Sequence, residues 1–228
     1  DKKAGKVLAE LPRNFSRQRI FLAFTIAGGV SQSGVQFGDM YAYWKRIGKR
    51  LALVQPNYSV RTTGDTQSKA GHRRVHTETV ILDVPIAAMG PKGGPVIDLT
   101  DLFVKQSSKF FGGVTAGANT RLAEIVKAKA FPNNVELAFE MPLRGGKFAT
   151  IYYSLAEIPD NTGYKPREAD ERIGYFVTSH RDIGDASDES PWKRYINRWD
   201  LRKADPKLKL SPPKQPIVFY IEHTTPVR

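Results

Sequence analysis

Three β-type runs separated by two-residue gaps constrain the fold of this chain more than any other feature. The runs cover residues 40–47, 50–55 and 58–61, and the gaps are Gly48-Lys49 and Pro56-Asn57. A two-residue connection can join antiparallel strands, whereas parallel strands need a crossover of a dozen or more residues. The spacing therefore predicts an antiparallel meander rather than strands that alternate with helices.

The rest of the chain adds strands and few helices. Apolar or alternating runs predict strands at 20–27, 77–86, 96–99, 135–141, 148–155, 173–179 and 217–222, and one more within 191–205 after an irregular turn. Apolar residues at helical spacing predict a helix over 120–130. A short helix at 6–11 and a helical turn capped by Thr100 are the other helical candidates, and 62–76 is predicted to be a polar loop. The fold class is therefore α+β and β-rich, with predominantly antiparallel sheets or meanders and one or two short helices.

The distribution of polar and apolar segments suggests four parts. Residues 1–19 are polar and basic and are interpreted as an N-terminal extension. Residues 20–204 hold most of the predicted strands and form a β-rich domain, and the proline-containing stretch 205–216 is interpreted as a linker. Residues 217–228 begin with a strongly apolar, β-branched run, which we interpret as the first strand of a domain that follows.

Composition excludes several kinds of site. The 228 residues include no cysteine, so disulfides, thiolate zinc sites and cysteine nucleophiles are excluded. The net charge is +12, and residues 1–76 hold 14 basic against 4 acidic side chains. These basic residues are scattered and accompany no nucleic-acid-binding motif. We therefore expect them to lie on solvent-exposed surfaces, and we expect no nucleic-acid partner. No run reaches the roughly 18 apolar residues that a membrane span needs.

The histidines and glycine-rich segments form no complete catalytic motif. His72 and His76 have the spacing of two zinc ligands on a helix, but Arg73 and Arg74 lie between them and no H-E-x-x-H glutamate is present. His180 precedes Asp182, which is a weak signal. Neither a G-x-S-x-G elbow nor a phosphate-binding loop occurs. We therefore predict no catalytic residue and no metal site within this chain.

Several segments in a fixed order resemble one family. They are VIDLTDLF at 96–103, AFPNNVE at 130–136, READERIGYF at 167–176, YINRW at 195–199, and KQPIVFYIE with TTP at 214–226. Together they resemble the N-terminal accessory domain of bacterial metzincin-type zinc-dependent metalloproteases, whose zinc motif H-E-x-x-H-x-x-G-x-x-H lies downstream.

The resemblance implies a role for the chain beside a catalytic domain. It implies a non-catalytic fragment of a secreted, periplasmic or cell-envelope protein, in a scaffolding or prodomain-like role. The parent protein would be a zinc-dependent metallopeptidase, its zinc held outside this chain, and the partner would be the downstream protease domain of the same polypeptide.

Two groups of residues are candidate sites. Asp170, between Arg167 and Arg172, is either a carboxylate that masks a catalytic zinc, as propeptide aspartates do in some metzincins, or a residue that pairs with an arginine and fixes the turn. The alternative function is an extracellular module that binds a polymer or peptide through surface aromatic rings. The candidate rings are those of Tyr41, Tyr43, Trp44, Trp192 and Trp199; core packing is the other interpretation of these five.

Overall fold

A computed structural model describes residues 4–31, 33–160, 162–184, 190–221 and 225–226. The strands are β1 Leu8–Glu10, β2 Arg19–Gly28, β3 Gln36–Ile47, β4 Arg50–Gln55, β5 Val60–Arg61, β6 Thr79–Pro85, β7 Ala88–Met89, β8 Pro95–Asp98, β9 Glu124–Ala130, β10 Asn134–Pro142, β11 Phe148–Ile158, β12 Val177–Asp182 and β13 Trp192–Ile196. The helices are α1 Thr66–Val75, α2 Leu99–Phe103 and α3 Ser108–Phe111, with 3-10 turns at Gly112–Val114 and Thr120–Leu122.

A seven-stranded antiparallel sheet forms the body of the protein. Its strand order is β6-β4-β3-β2-β11-β10-β9, and every neighbouring pair is antiparallel. The β3–β4 hairpin turns at Gly48, whose φ of 59° lies in the left-handed region that glycine tolerates. β10 and β11, which contain the predicted strands 135–141 and 148–155, form a second antiparallel hairpin. The β-rich, largely antiparallel class predicted from the sequence is confirmed.

The core lies on one face of this sheet. Because successive strand residues point to opposite faces, alternate residues such as Leu22, Phe24 and Ile26 of β2 are buried while their neighbours are less so. The helices α2 and α3 cover that face with Leu102, Phe103, Phe110 and Phe111, all of them buried. We call the opposite side the open face.

Tyr153 is the centre of the packing between sheet and helices. Its ring centroid lies 4.4 Å from that of Phe103, 5.3 Å from that of Phe110 and 5.5 Å from that of Phe111. Its hydroxyl donates a 2.8 Å hydrogen bond to the Phe103 carbonyl oxygen. Burial raises the pKa of this tyrosine well above its ordinary value, so the hydroxyl remains a donor.

Two small sheets flank the body. One has the order β1-β8-β7, and the Lys6 ammonium adds a 2.9 Å ion pair with Asp98 beside the β1–β8 contact. The other has the order β13-β12-β5, in which β12 and β5 are parallel. Residues 8–10, predicted to be part of an extension, are therefore a strand of the fold, and Val7, Ala9 and Leu11 pack against the core.

Two helix predictions were wrong. Residues 124–130 form β9, an edge strand paired with β10, and not a helix. Val126 is an extra residue in this pairing, because Ile125 pairs with Phe139 and Lys127 with Ala138. This bulge shifts the apolar residues out of a two-residue period and gives them helical spacing. Residues 8–10, predicted as helix, pair with β8 instead.

A helix was missed where a loop was predicted. Residues 66–75 form α1, capped by Asp65, whose Oδ1 accepts a 2.8 Å hydrogen bond from the Ser68 amide. None of its residues is buried, so the apolar periodicity that identifies a helix is absent. The helix predicted at Thr100 is present as α2, but Asp98 is its cap.

Four strand predictions, three of them in the C-terminal part of the chain, differ from the structure. The strand predicted at 173–179 begins at Val177, and the one within 191–205 ends at Ile196. The strand predicted over 58–61 is reduced to β5 and joins β12, so β6 and not β5 is the neighbour of β4. Residues 217–221 form no strand, because none of the described strands pairs with them; residues 222–224 and 227–228 lie outside the described residues.

Candidate functional site

The segment around Asp170 is attached to the free side of β13. The Ala169 amide donates to the Arg194 carbonyl at 2.9 Å, and the Ile196 amide donates to the Arg167 carbonyl at 3.0 Å. Glu168 forms an isolated antiparallel bridge with Tyr195. Residues 167–169 therefore extend the small sheet by one irregular line, and the chain then turns at Asp170, whose carbonyl accepts from the Ile173 amide.

Both carboxylate oxygens of Asp170 are bonded to Arg172. Oδ1 accepts from the Arg172 amide at 3.0 Å and from Nε at 2.9 Å, and Oδ2 accepts from Nη2 at 2.6 Å. The pKa of Asp170 is lowered to about 2, mainly by the hydrogen bonds from the Arg172 side chain and next by the bond from the Arg172 amide. Arg167 contributes only through its charge. Asp170 is thus engaged with Arg172 at this turn, while its side chain stays 43% exposed. Its role in masking a catalytic zinc remains a prediction.

A groove of 550 Å³ lies beside this turn, and we call it the Asp170 groove. It is bounded by the turn on one side and by β13 on the other. Its lining combines acidic, basic and apolar groups, among them Glu168, Asp170, Ile173, Tyr175, Trp192 and Arg194. The structure therefore brings together two residues that were predicted separately, Asp170 and Trp192.

The five candidate aromatic residues do not form one surface. Trp44 is 2% exposed and Tyr43 is 9% exposed, so core packing, and not surface binding, is the correct interpretation of these two rings. Both lie in β3, an interior strand of the seven-stranded sheet. Trp44 faces the core, and Tyr43 packs against Ala52 and Val54. Tyr41, Trp192 and Trp199 are exposed, but Tyr41 and Trp192 line different grooves.

The open face ends in a second groove that sequence reasoning did not find. Tyr41 and Tyr58, about half exposed, line a cavity of 420 Å³, which we call the tyrosine groove. Tyr58 was predicted only as a strand residue. The signal that could have found it is Pro56-Asn57, because proline after a strand moves the next residues out of the ladder.

The described histidines lie in two places, His72 and His76 at the C-terminal end of α1 and His180 on β12. On α1 the rings of His72 and His76 lie 5.0 Å apart, and His72 Nε2 is 3.0 Å from the Val60 carbonyl, to which it must donate. His180 is buried and stacks on Tyr195, and Asp182 accepts from the amides of Thr63 and Gly184. Within the described residues, no three histidine, aspartate or glutamate side chains are grouped closely enough to hold a metal ion.

Among the described residues after Asp160, most large apolar side chains are exposed to solvent. Among the described residues from 162 onward, Ile196 is the one buried apolar side chain. Phe176 is 87% exposed and Tyr220 is 93% exposed. Other exposed large apolar residues in this part include Ile173, Trp199, Leu201, Leu210, Val218, Phe219 and Ile221. We call residues 162–184 and 190–221 the C-terminal third.

The family of the chain follows from its comparison with known proteins. The family described as Domain of unknown function (DUF5117) matches residues 34–204, which are 171 of the 228 residues. The chain belongs to this family. The DUF5117 match begins before β3 and ends at Ala204, so it includes the Asp170 groove and the tyrosine groove.

Neither the curated proteins nor the solved structures include one that matches the chain. In the described residues, no helix has the length and apolarity that crossing a membrane requires.

Proposed function

We propose that this chain is a non-catalytic accessory domain that docks onto the catalytic domain of a secreted or cell-envelope bacterial zinc metalloprotease, in a scaffolding or prodomain-like role. The observation that carries the docking part is the uncovered C-terminal third. The body of the protein has its own core, whereas Phe176, Phe219 and Tyr220 lie in solvent. The metalloprotease part rests on the resemblance of the ordered segments described above.

The free energy available to such docking is large. Removing apolar surface from water contributes about 25 cal/mol per Å², and a phenylalanine or leucine side chain gains about 1.5–3 kcal/mol on full burial. A partner that covers only Phe176, Leu210 and Phe219 would therefore gain several kcal/mol before the cost of association. The catalytic zinc belongs to that partner in this proposal, and the Asp170 groove is a surface that the partner would cover.

The first test is the coding sequence that follows Arg228. An H-E-x-x-H motif within the next hundred or so residues supports the metalloprotease assignment, and its absence from the gene contradicts it.

The second test is hydrogen exchange on the full polypeptide and on the 228-residue chain. We expect amides of the C-terminal third to gain protection in the full polypeptide, since docking buries them. In the full polypeptide, Phe176→Ser and Tyr220→Ser should weaken this protection, whereas the control Val75→Ser, on the exposed face of α1, should leave it unchanged. Equal protection in the full polypeptide and in the 228-residue chain would refute docking through this surface.

The binding alternative is favoured by one observation. Trp192 is exposed and lines the Asp170 groove beside Tyr175 and Ile173, where a peptide side chain could pack against the rings. Because Trp44 is buried, fluorescence quenching by an added water-soluble quencher should report mainly on Trp192 and Trp199. A peptide that binds in the groove would shield Trp192, and Trp192→Phe would abolish that shielding.

A further inference from the structure

The tyrosine groove exists because β4 ends beside the middle of β3 and leaves the first half of β3 without a neighbour on that side. β3 and β4 are paired from Tyr43↔Val54 to Ile47↔Arg50, and Pro56 follows directly after β4. Proline has no amide hydrogen to continue the ladder, so the chain leaves the sheet there. Tyr41 therefore has a paired strand only on the β2 side, where the Phe21 ring centroid lies 5.5 Å from its own.

The other wall of the groove is a fixed turn that presents Tyr58. Asn57 Oδ1 accepts hydrogen bonds from the Ser59 amide at 3.2 Å and from Ser59 Oγ at 2.7 Å. The Arg61 guanidinium lies 5.6 Å from the centroid of the Tyr58 ring, on its face. These contacts hold the Tyr58 ring in place beside the groove, so part of the ordering that binding requires is already present.

The lining of the groove is polar but uncharged. Besides the two tyrosines and Pro56, the lining side chains are Gln55, Asn57, Ser59 and Thr79. None of the described residues that line the groove is charged, although the chain as a whole has a net charge of +12. Amides and hydroxyls both donate and accept hydrogen bonds, and they do not discriminate in favour of an ionic ligand.

We propose that the tyrosine groove binds one or two pyranose units of a neutral polysaccharide. The C–H face of a pyranose ring packs on a tyrosine ring, whose face is electron-rich, and sugar hydroxyls pair with Gln55, Asn57, Ser59 and Thr79. The 420 Å³ volume lies within the range of about 300–1,000 Å³ found for small-ligand sites. A proline-rich peptide, the other ligand that aromatic grooves accept, offers too few hydrogen-bonding groups for four polar side chains.

This inference names a ligand class for the binding alternative and does not depend on docking to a protease. The probes are soluble neutral hexasaccharides of β-1,4-linked glucose, xylose and mannose and of α-1,4-linked glucose. A proline decamer and a sulfated oligosaccharide serve as comparison probes. Binding is measured by isothermal titration calorimetry and by saturation-transfer NMR on the 228-residue chain.

We expect at least one neutral hexasaccharide to bind, and Tyr41→Ala and Tyr58→Ala each to weaken that binding by about tenfold or more. Phe148→Ala is the matched control, since Phe148 is a similarly exposed aromatic residue that lines neither the tyrosine groove nor the Asp170 groove. Far-UV circular dichroism and Tm show whether each variant is folded, and Tyr41→Phe, which keeps the ring, should retain most of the binding.

Three outcomes would overturn the proposal. They are no binding of any neutral hexasaccharide, binding that survives both alanine variants, and binding that is lost equally in Phe148→Ala. Preferential binding of the proline decamer with the same tyrosine dependence would make the groove a peptide site instead. None of these outcomes affects the hydrogen-exchange test of docking.

Discussion

Tyr153→Phe removes one oxygen from the centre of the core and leaves its shape almost unchanged. The hydroxyl of Tyr153 donates to the carbonyl of Phe103, at the end of α2, where helix carbonyls lack helical partners. Tyr153 is fully buried, so water cannot replace the missing donor without opening the core. The substitution therefore leaves a buried acceptor without its hydrogen bond.

An unsatisfied buried acceptor costs about 1–3 kcal/mol, and the aromatic packing with Phe103 remains in the variant. We expect the free energy of unfolding to fall by about 1.5 kcal/mol. For a chain of this length, 1 kcal/mol shifts Tm by about 2–4 °C, so Tm should fall by about 3–6 °C. Tyr153→Ala would remove the ring as well and should cost about 3–5 kcal/mol.

The neighbouring Tyr152 is the matched control because it lies on the open face. Its hydroxyl accepts a 2.7 Å hydrogen bond from Lys127 Nζ, and solvent can replace that bond. Tyr152→Phe should change stability by less than about 0.5 kcal/mol. Urea unfolding followed by circular dichroism, with Tm from calorimetry, measures both variants. The reasoning is refuted if Tyr152→Phe is as destabilising as Tyr153→Phe, or if Tyr153→Phe is neutral.

Three further predictions concern ionisable side chains. Burial, together with the hydrogen bond to Glu78, raises the pKa of Tyr43 from about 10 to about 12, so the neutral tyrosine stabilises the fold below pH 10 and this stability is lost as the pH rises to 12. Tyr43→Phe should therefore make the urea midpoint fall less steeply between pH 10 and pH 12. An unchanged slope would contradict the prediction. Arg172→Ala should return the pKa of Asp170 from about 2 toward about 3.9 in an NMR titration, whereas a midpoint that stays near 2 would show that Arg172 is not the cause. Asp98→Ala removes the cap of α2 and should lower the free energy of unfolding by about 1 kcal/mol, as measured by urea titration. An unchanged urea midpoint would contradict this prediction.

The sheet could be predicted from the sequence where two signals coincided. Strands β3 and β4 combine β-type residues with a two-residue turn containing glycine, and both the strands and their pairing were predicted correctly. The register on β6 and the β1–β8 pairing could not be predicted, since they depend on partners far apart in the chain. For β9, one bulged residue at Val126 was enough to give a strand the apolar spacing of a helix.

The candidate site was predictable only residue by residue. The Asp170–Arg172 pair follows from two residues close in sequence, so turn chemistry alone suggested it. The proximity of Trp192 to Asp170 depends on the pairing of residues 167–169 with β13, which no local pattern indicates. The burial of Trp44 likewise depends on β3 lying near the centre of a seven-stranded sheet.

The wrong strand prediction at 217–221 and the exposed apolar surface have one physical explanation. A β-strand is stable only when another strand takes up its amide and carbonyl groups, so strand-like residues without a neighbour stay irregular. Ile217, Val218, Phe219, Tyr220 and Ile221 are strand-like, but among the described residues they have no strand to pair with and remain exposed. The core is built from apolar residues up to the end of β11, whereas Ile196 is the one buried apolar residue among the described residues after it. A strand-like local pattern therefore predicts only the preference of a segment, and the presence of a partner edge decides whether the strand forms.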